Sequence, residues 1–326
     1  MTEPGKRRIP PFVEVLRPGQ WSKNLLVAAG FVFALLDRFQ SIHGAAAIRV
    51  TLAVGIFCML SGATYIANDI CDREGDRLHP LKKSRPVASG RLTARAAAAE
   101  CAAIAAAALA WSSLLGRGFL VCAVAYALLQ AAYNARLKRI AWVDAACVAA
   151  GFSLRVLAGT VAARATVHPG IVCCTFCGAL FIALCKRRAE LVCLGDSAAR
   201  HRAALRQYGA RGLDAGVCVA AALTLAAYAA WAFSTRTADK FGTGGMAWTV
   251  PFVALGVARY LWLAFKSGAG GQPERLFATD LPLILFAAGY CSAVALVATR
   301  GGRALLRDRF EQPPAQEADV RGSETE

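Results

Sequence analysis

The sequence predicts an all-α, polytopic integral membrane protein with about nine transmembrane helices, and three observations support this prediction. Of the 326 residues, 57% are hydrophobic and 18% are charged, and the mean hydropathy is +0.45, which is too apolar for an ordinary soluble domain. Apolar windows long enough to cross ~30 Å of hydrocarbon recur along the chain. Lys and Arg collect in the short segments between those windows.

The predicted spans are windows of about 20 apolar residues. Several are rich in Ala, Gly and Cys, which favours close packing between helices. They are followed by a polar, Pro-containing C-terminal stretch with the composition of a disordered tail. We therefore expect an N-terminal segment (1–23), a membrane domain (24–300) and a tail (301–326). The nine spans lie near residues 24–42, 46–66, 94–115, 118–134, 142–163, 169–185, 212–233, 246–265 and 279–299.

The distribution of positive charge predicts the orientation and the kind of partner. With the N-terminus inside, the basic segments fall on the cytoplasmic side, including the two longest loops, 67–93 and 186–212. The formal net charge of +16 is spread over these loops instead of forming one hydrophilic face. We therefore expect anionic lipid headgroups and phosphorylated substrates as partners, and no nucleic acid.

A stripe of carboxylates follows the second window, in the stretch NDICDREGDRLHPLKKSRPVASG. Asn68, Asp69, Asp72 and Asp76 have the pattern N-D-x-x-D-x-x-x-D, and helical positions i, i+3, i+4 and i+7 share one face. The three carboxylates are therefore expected to converge. Such a group is most stable where a cation neutralises it, and oxygen-only ligands suit Mg²⁺ that carries substrate phosphates. The stretch predicts a site for Mg²⁺ and diphosphate.

The charge changes sign about ten residues later. Lys82, Lys83, Arg85 and Arg91 offer donors for phosphate oxygens. A solvated loop of mixed charge between two helices would have a similar composition. The spacing of the carboxylates next to a membrane span favours the functional interpretation.

Further polar residues lie within or beside the spans. Arg155 is in the middle of the fifth window, where a charge costs ~2.5–3.5 kcal/mol, so it should face a cavity or a partner. Asp144 lies three helical turns earlier, on the same face and ~16 Å away. An alternative stays open, in which Asp144 caps its span and Arg155 pairs with Glu100.

The inner ends of other spans add candidates for phosphate binding. Lys23 and Asn24, in the stretch RPGQWSKN, lie just inside the first window and could reach a phosphate at the level of the headgroups. Tyr133 and Lys138 precede the fifth window on the same side. The loop 186–212 begins with KRRAEL and is mostly cationic.

These stretches resemble the UbiA superfamily of intramembrane prenyltransferases over about residues 12–300. RPGQWSKN, the carboxylate stretch, YNARLK with Asp144 and Arg155, and KRRAEL are similar to the decaprenyl-phosphate phosphoribosyltransferase branch. Prenyl-diphosphate branches carry a second Asp-rich motif after the sixth span. Here that place has Lys186, Arg187 and Glu190, a departure that favours the phosphoribosyl branch.

The resemblance implies transfer of 5-phosphoribose from 5-phosphoribosyl pyrophosphate to a polyprenyl phosphate, toward lipid-linked arabinose donors of cell-wall glycans such as arabinogalactan. It implies a UbiA-like bundle in a bacterial plasma membrane, with a cytoplasm-facing active site. It also implies that Mg²⁺ is bound by Asn68, Asp69, Asp72 and Asp76, with Glu190 catalytic beside the three Asp residues. The implied substrate-binding residues are Lys23, Asn24, Asn68, Lys83, Arg85, Tyr133, Lys138, Asp144, Arg155, Lys186 and Arg187.

Two other functions remain compatible with the sequence. One is a prenyltransferase of the same fold that moves a polyprenyl group from its diphosphate to an aromatic acceptor. The other is a transporter in which Arg155 and Glu100 are intramembrane charges. A homo-oligomer is also compatible with the sequence.

Overall fold

The computed structural model describes residues 9–37, 45–78, 82–194, 204, 207–241, 244–266 and 269–299, and its regular structure is helical throughout these ranges. Short 3₁₀ segments span Pro18–Leu26, Leu137–Arg139, Gly244–Thr249 and Ala269–Gly271. In chain order the α-helices are α1 (Pro11–Glu14), α2 (Val27–Leu36), α3 (Ala45–Cys71), α4 (Arg73–Leu78), α5 (Ala94–Leu114), α6 (Arg117–Ala135), α7 (Val143–Ala162), α8 (Pro169–Leu194), α9 (Ala210–Ala232), α10 (Thr235–Phe241), α11 (Val250–Lys266), α12 (Pro273–Thr279) and α13 (Leu281–Ala298).

The predicted all-α membrane fold is confirmed, but the count of nine spans is not. In the described part of the chain, seven helices are long and apolar enough to cross a membrane, and α12 with α13, bent by 81°, would be an eighth if the pair forms one span. The difference arises in window 24–42, whose described residues form the end of the 3₁₀ segment and the ten-residue α2, which is about 15 Å long. Residues 38–44 and the predicted tail 301–326 lie outside the described residues.

Two apolar cores meet at α7. One lies among α2, α3, α5, α6 and α7 and is centred on Phe57, Phe119 and Tyr126. The other includes the start of α7 with α8, α9 and α11, and contains Phe181 and Tyr260. α7 is the most buried candidate span, with 61% of its apolar window inside the protein. Polar side chains on α7 must therefore find partners within the bundle.

Glycines allow α2 and α7 to approach closely. A Cβ atom on Gly159 would lie 1.6 Å from the carbonyl oxygen of Val27, and one on Gly30 would lie 2.0 Å from Oγ1 of Thr160. Both distances are far below van der Waals contact, so only glycine fits at these positions. This contact matters for the site because Asn24 lies directly before α2.

We expect Gly159→Leu to destabilise the protein by more than the ~1–3 kcal/mol typical of an overpacked core, because the obstacle is backbone and cannot rotate away. The measurement is thermal unfolding of the purified protein in detergent. Gly55→Leu on α3 is the matched control, since a Cβ there meets nothing within 4 Å. Equal melting temperatures for the two variants would contradict the prediction.

Candidate functional site

Charged side chains gather at one end of the bundle, which we call the polar end. The end of α3 and the start of α4 carry the carboxylate stripe, and the start of α7 and the last turns of α8 bring a second set of charges. The segment before α2 and the short helix α12 also reach this end, through an ion pair between Lys23 and Glu274. The elements that were predicted to form a site therefore do come together.

The carboxylate stripe is helical across the junction of α3 and α4. The amide of Asp72 donates to the carbonyl of Asn68 (2.9 Å), and the amide of Asp76 donates to that of Asp72 (2.8 Å). Asp69 and Asp76 are buried and face the same cation, with Arg85 Nη1 at 3.2 Å from Asp69 Oδ1 and 2.6 Å from Asp76 Oδ2. The predicted shared face is therefore observed for these two residues.

Asp72 has a different environment. Its side chain is 41% exposed, and Lys138 Nζ lies 2.8 Å from Asp72 Oδ1 and 3.1 Å from Asn68 Oδ1. Within the described ranges, no three His, Cys, Asp or Glu side chains form a group that could hold a metal ion. The expected convergence of all three carboxylates is thus not observed. The donors themselves fit Mg²⁺, since all are oxygens and three of them are carboxylates.

Arg17 adds a second cation to the buried part of the stripe. Its guanidinium pairs with Asp69 and lies over the ring of Tyr65, 5.1 Å from the centroid. The backbone of Arg17 has a φ of 52°, a left-handed conformation that is uncommon for residues other than glycine. Such a conformation persists where the surrounding contacts stabilise it, and the contacts of Arg17 with Asp69 and Tyr65 are of this kind.

The end of α8 holds a buried ion-pair network. Arg187 is 4% exposed, with Nε 2.6 Å from Asp144 Oδ2 and Nη1 3.0 Å from both carboxylate oxygens of Glu190. Asp144 is completely buried. Arg187 therefore lies between two carboxylates and not at an open phosphate site, and it pairs with Glu190 on the same helix.

Tyr208 completes the network around Asp144. Its hydroxyl donates to Asp144 Oδ1 at 2.6 Å and accepts from the amide of Trp142 at 2.8 Å. Burial, together with the hydrogen bond to Asp144, raises the pKa of Tyr208 above its ordinary value. The phenol therefore stays protonated and acts as a donor to the carboxylate.

Arg155 lies at the centre of a buried polar network. Its Nε donates to Asn24 Oδ1 (2.9 Å), its Nη1 to the carbonyl of Gly151 (3.0 Å), and its Nη2 to the hydroxyls of Tyr126 (2.8 Å) and Ser61 (3.3 Å). All these acceptors are neutral, and the alternative pairing of Arg155 with Glu100 is not observed among the described residues. The positive charge of Arg155 is therefore hydrogen-bonded but not neutralised, which favours an anion nearby.

Two lysines lie together at the polar end. Lys23 Nζ is 2.7 Å from Glu274 Oε1, and the charges of Lys23, Glu190 and Glu274 act on Lys186. Tyr133 is close enough to Arg187 for the two to interact electrostatically. Lys83 is exposed and makes no side-chain ion pair in the part of the chain that is described.

Several residues of the site were not assigned from the sequence: Arg17, Ser61, Tyr65, Tyr126, Tyr208 and Glu274. Ser61 and Tyr126 are polar groups within apolar windows, and that signal could have identified them. Glu274 and Tyr208 have no comparable local signal, because their contacts join segments far apart in the chain.

Comparisons with known proteins indicate one family. Residues 25–281 match the UbiA prenyltransferase family. Two relatives named decaprenyl-phosphate phosphoribosyltransferase are similar over most of the chain. The protein from Mycolicibacterium smegmatis is 31% identical over 293 residues (87% of this chain, 92% of the relative). That from Corynebacterium glutamicum is 32% identical over 308 residues (90% and 91%).

A solved structure shares the fold. The UbiA homolog from Archaeoglobus fulgidus bound to DMAPP and Mg²⁺ superposes with a TM-score of 0.66 at 18% identity, covering 88% of this chain and 99% of that one. At this identity the likeness establishes the architecture alone.

Proposed function

The chain belongs to the UbiA prenyltransferase family, and on this premise we propose that it transfers 5-phosphoribose from 5-phosphoribosyl pyrophosphate to a polyprenyl phosphate, releasing pyrophosphate. The proposal is supported by the two relatives named decaprenyl-phosphate phosphoribosyltransferase, whose similarity extends over 87% and 90% of this chain. The product, a lipid-linked phosphoribose, is a precursor suited to lipid-linked arabinose donors of the cell wall.

The observation that carries the proposal is the cationic end of α8. The carboxylates of Asp144 and Glu190 both bind Arg187, so neither is left as part of a second metal-diphosphate site. Lys186 and Lys23 instead offer positive charge nearby. A second substrate that carries a phosphate group needs this arrangement, whereas an aromatic acceptor with at most a single carboxylate does not.

We assign the first anionic substrate, 5-phosphoribosyl pyrophosphate, to the carboxylate stripe. Asn68, Asp69, Asp72 and Asp76 would hold Mg²⁺, which when bound neutralises the pyrophosphate and stabilises it as a leaving group. Arg85 and Lys138 contact the same carboxylates and are positioned to donate to phosphate oxygens. Oxygen-only donors and the Mg²⁺ bound by the A. fulgidus homolog support this assignment.

The reaction exchanges one C–O bond for another at the anomeric carbon. The bond to pyrophosphate breaks with its electron pair on the leaving oxygen, and an oxygen of the lipid phosphate forms the new bond. The carbon acquires oxocarbenium character on the way, as in glycosyl transfer generally. The lipid phosphate is already anionic, so no general base is required.

The chain's own residues must therefore position two anions that repel each other. Lys23 and Lys186 are assigned to the lipid phosphate, and Arg155 attracts negative charge from within the bundle. Glu190 remains an acceptor for a ribose hydroxyl, held in place by Arg187. We place this site on the cytoplasmic side of a bacterial plasma membrane, where the basic loops and the soluble sugar donor are found.

We expect purified protein with radiolabelled 5-phosphoribosyl pyrophosphate and polyprenyl phosphate to form lipid-linked phosphoribose and one equivalent of pyrophosphate. Polyprenyl diphosphate with 4-hydroxybenzoate should yield no product. Products are identified by mass spectrometry. A prenylated aromatic product without lipid-linked phosphoribose would establish the alternative prenyltransferase function, and the absence of both products would contradict an enzymatic role with these substrates.

A further inference from the structure

A strained turn lies between α6 and α7, at Trp142. The backbone of Trp142 has a φ of 66° and a ψ of −46°, and the amide of Val143 donates to the carbonyl of Ala141 at 2.7 Å. This geometry is that of the rarer, strained form of γ-turn, which residues other than glycine seldom adopt. A bulky aromatic residue stays in such a turn only where surrounding contacts hold it.

The contacts that hold this turn come from the second long loop, just before α9. Gln207 Oε1 accepts from the amide of Ala141 at 3.1 Å, and Gln207 Nε2 donates to the carbonyl of Arg139 at 3.1 Å. The Tyr208 hydroxyl accepts from the amide of Trp142 at 2.8 Å. The rings of Tyr208 and Trp142 meet edge to face, with centroids 5.2 Å apart. The backbone of the turn is therefore bound by side chains 66 positions later in the chain.

Tyr208 holds both the turn and the start of α7 with a single oxygen. Besides accepting from Trp142, its hydroxyl donates to Asp144 Oδ1 at 2.6 Å. A phenol has one proton to donate, so these two bonds together fix the orientation of the hydroxyl. Tyr208 is 4% exposed, and burial together with the bond to Asp144 raises its pKa. Neither water nor deprotonation therefore competes with the two bonds.

The turn lies between two charged parts of the polar end. Lys138 precedes it, and Lys138 Nζ lies 2.8 Å from a carboxylate of the stripe. Asp144 follows it and binds Arg187 at 2.6 Å, and Arg187 in turn binds Glu190 at 3.0 Å. A short segment with one fixed turn therefore connects the stripe to the network at the end of α8. A change in the backbone of this turn would alter the separation between them.

We propose that Tyr208 is a positioning residue, which sets the separation between Lys138 and Glu190 by holding the turn at Trp142. The inference rests on the proposed function, in which Lys138 and Glu190 contact the pyrophosphate and the ribose of the same sugar donor. Tyr208 acts through the backbone of the turn and through Asp144, and not by contact with the substrate. The second long loop thereby gains a role that its basic composition did not indicate.

We expect Tyr208→Phe to lower kcat about 10²-fold, the cost of a displacement of about 1 Å at the reacting atoms, with the KM for polyprenyl phosphate unchanged. Phenylalanine keeps a ring against Trp142 and removes both hydrogen bonds. The matched control is Tyr228→Phe, because that hydroxyl is also buried and hydrogen-bonded, to Thr249 at 2.6 Å, but lies near the other end of α9. Wild-type kcat in Tyr208→Phe, or an equal loss in both variants, would contradict the proposal.

A second variant perturbs the turn from the side of α9 and leaves Tyr208 in place. A Cβ atom on Gly216 would lie 2.4 Å from the ring of Trp142, whereas one on Gly212 meets nothing within 4 Å. Alanine favours a helix more than glycine does, so both variants should fold. Gly216→Ala is expected to displace the ring and to lower kcat, with the KM for polyprenyl phosphate again unchanged. Gly212→Ala, one turn away on the same helix, should behave as the wild type.

A spectroscopic measurement does not depend on transfer. In protein labelled with fluorotryptophan, the fluorine resonance of Trp142, assigned by its loss in Trp142→Phe, should shift in Tyr208→Phe and Gly216→Ala but not in Tyr228→Phe or Gly212→Ala. An unchanged resonance in Tyr208→Phe would reject the hold on the turn, whatever the activity. A shifted resonance with wild-type kcat would reject the positioning role. If the wild-type protein forms no lipid-linked phosphoribose, the proposed reaction fails and the positioning role fails with it, while the resonance still decides whether Tyr208 holds the turn.

Discussion

Asp72→Asn is expected to lower phosphoribosyl transfer by about 10²–10³-fold or more, the range seen when a single group that stabilises transition-state charge is lost. An amide carries no charge and cannot replace a carboxylate as a ligand of Mg²⁺. Asp72 is also the most exposed member of the stripe, with 41% of its side chain accessible, so the variant should fold normally. Initial rates over a range of Mg²⁺ concentrations, with an EDTA arm, measure the effect.

Asp214→Asn is the matched control for this variant. Asp214 also pairs with a cation, Arg188 at 2.6 Å, and its side chain is 45% exposed, but it lies outside the stripe. It should retain wild-type activity. Wild-type turnover in Asp72→Asn, or full activity of the unmodified protein in EDTA, would reject metal binding at the stripe.

Arg187→Met is expected to lower the free energy of unfolding by about 3–5 kcal/mol, because it leaves a buried carboxylate without its counter-ion. Asp144 is fully buried and Arg187 is 4% exposed, so water cannot replace the lost partner. The measurement is chemical or thermal unfolding in detergent. Arg188→Met is the control, with a much smaller expected cost because Asp214 stays solvated.

A double variant separates structure from substrate binding. Adding Asp144→Asn to Arg187→Met removes the unpaired charge and keeps an acceptor for Tyr208, so stability should largely recover. Transfer should remain low, since Glu190 has lost the residue that positions it. If Arg187→Met instead weakens binding of the sugar donor without any loss of stability, Arg187 is a phosphate ligand and the ion pair is secondary.

The membrane helices could be predicted from the sequence because hydrocarbon imposes a length and a composition on each span. Window 94–115 corresponds to Ala94–Leu114, and window 142–163 to Val143–Ala162. The last window, 279–299, did not predict the bend before it. Asp280 has an extended backbone and caps α13, and Pro282 occupies the first turn; both are local signals for a helix start at this point.

The stripe of carboxylates was predictable for the same local reason, since helical spacing alone places Asp69 and Asp76 on one face. The cations that pair with these two carboxylates could not be predicted in this way. The sequence presented Arg85 and Lys138 as phosphate ligands, and the structure pairs both with the stripe. Such pairs depend on how distant helices pack, which no short window of sequence records.

The order of residues in the network around Arg155 has a consequence for biogenesis. Each of its four acceptors, on Asn24, Ser61, Tyr126 and Gly151, precedes Arg155 in the chain, the most distant by 131 positions. A chain is synthesised from its N-terminus, and earlier segments are available first. The charge of Arg155 therefore enters the bilayer only after all four of these acceptors have been made, whereas buried Asp144 at the start of the same helix depends on Arg187 and Tyr208, which are made later.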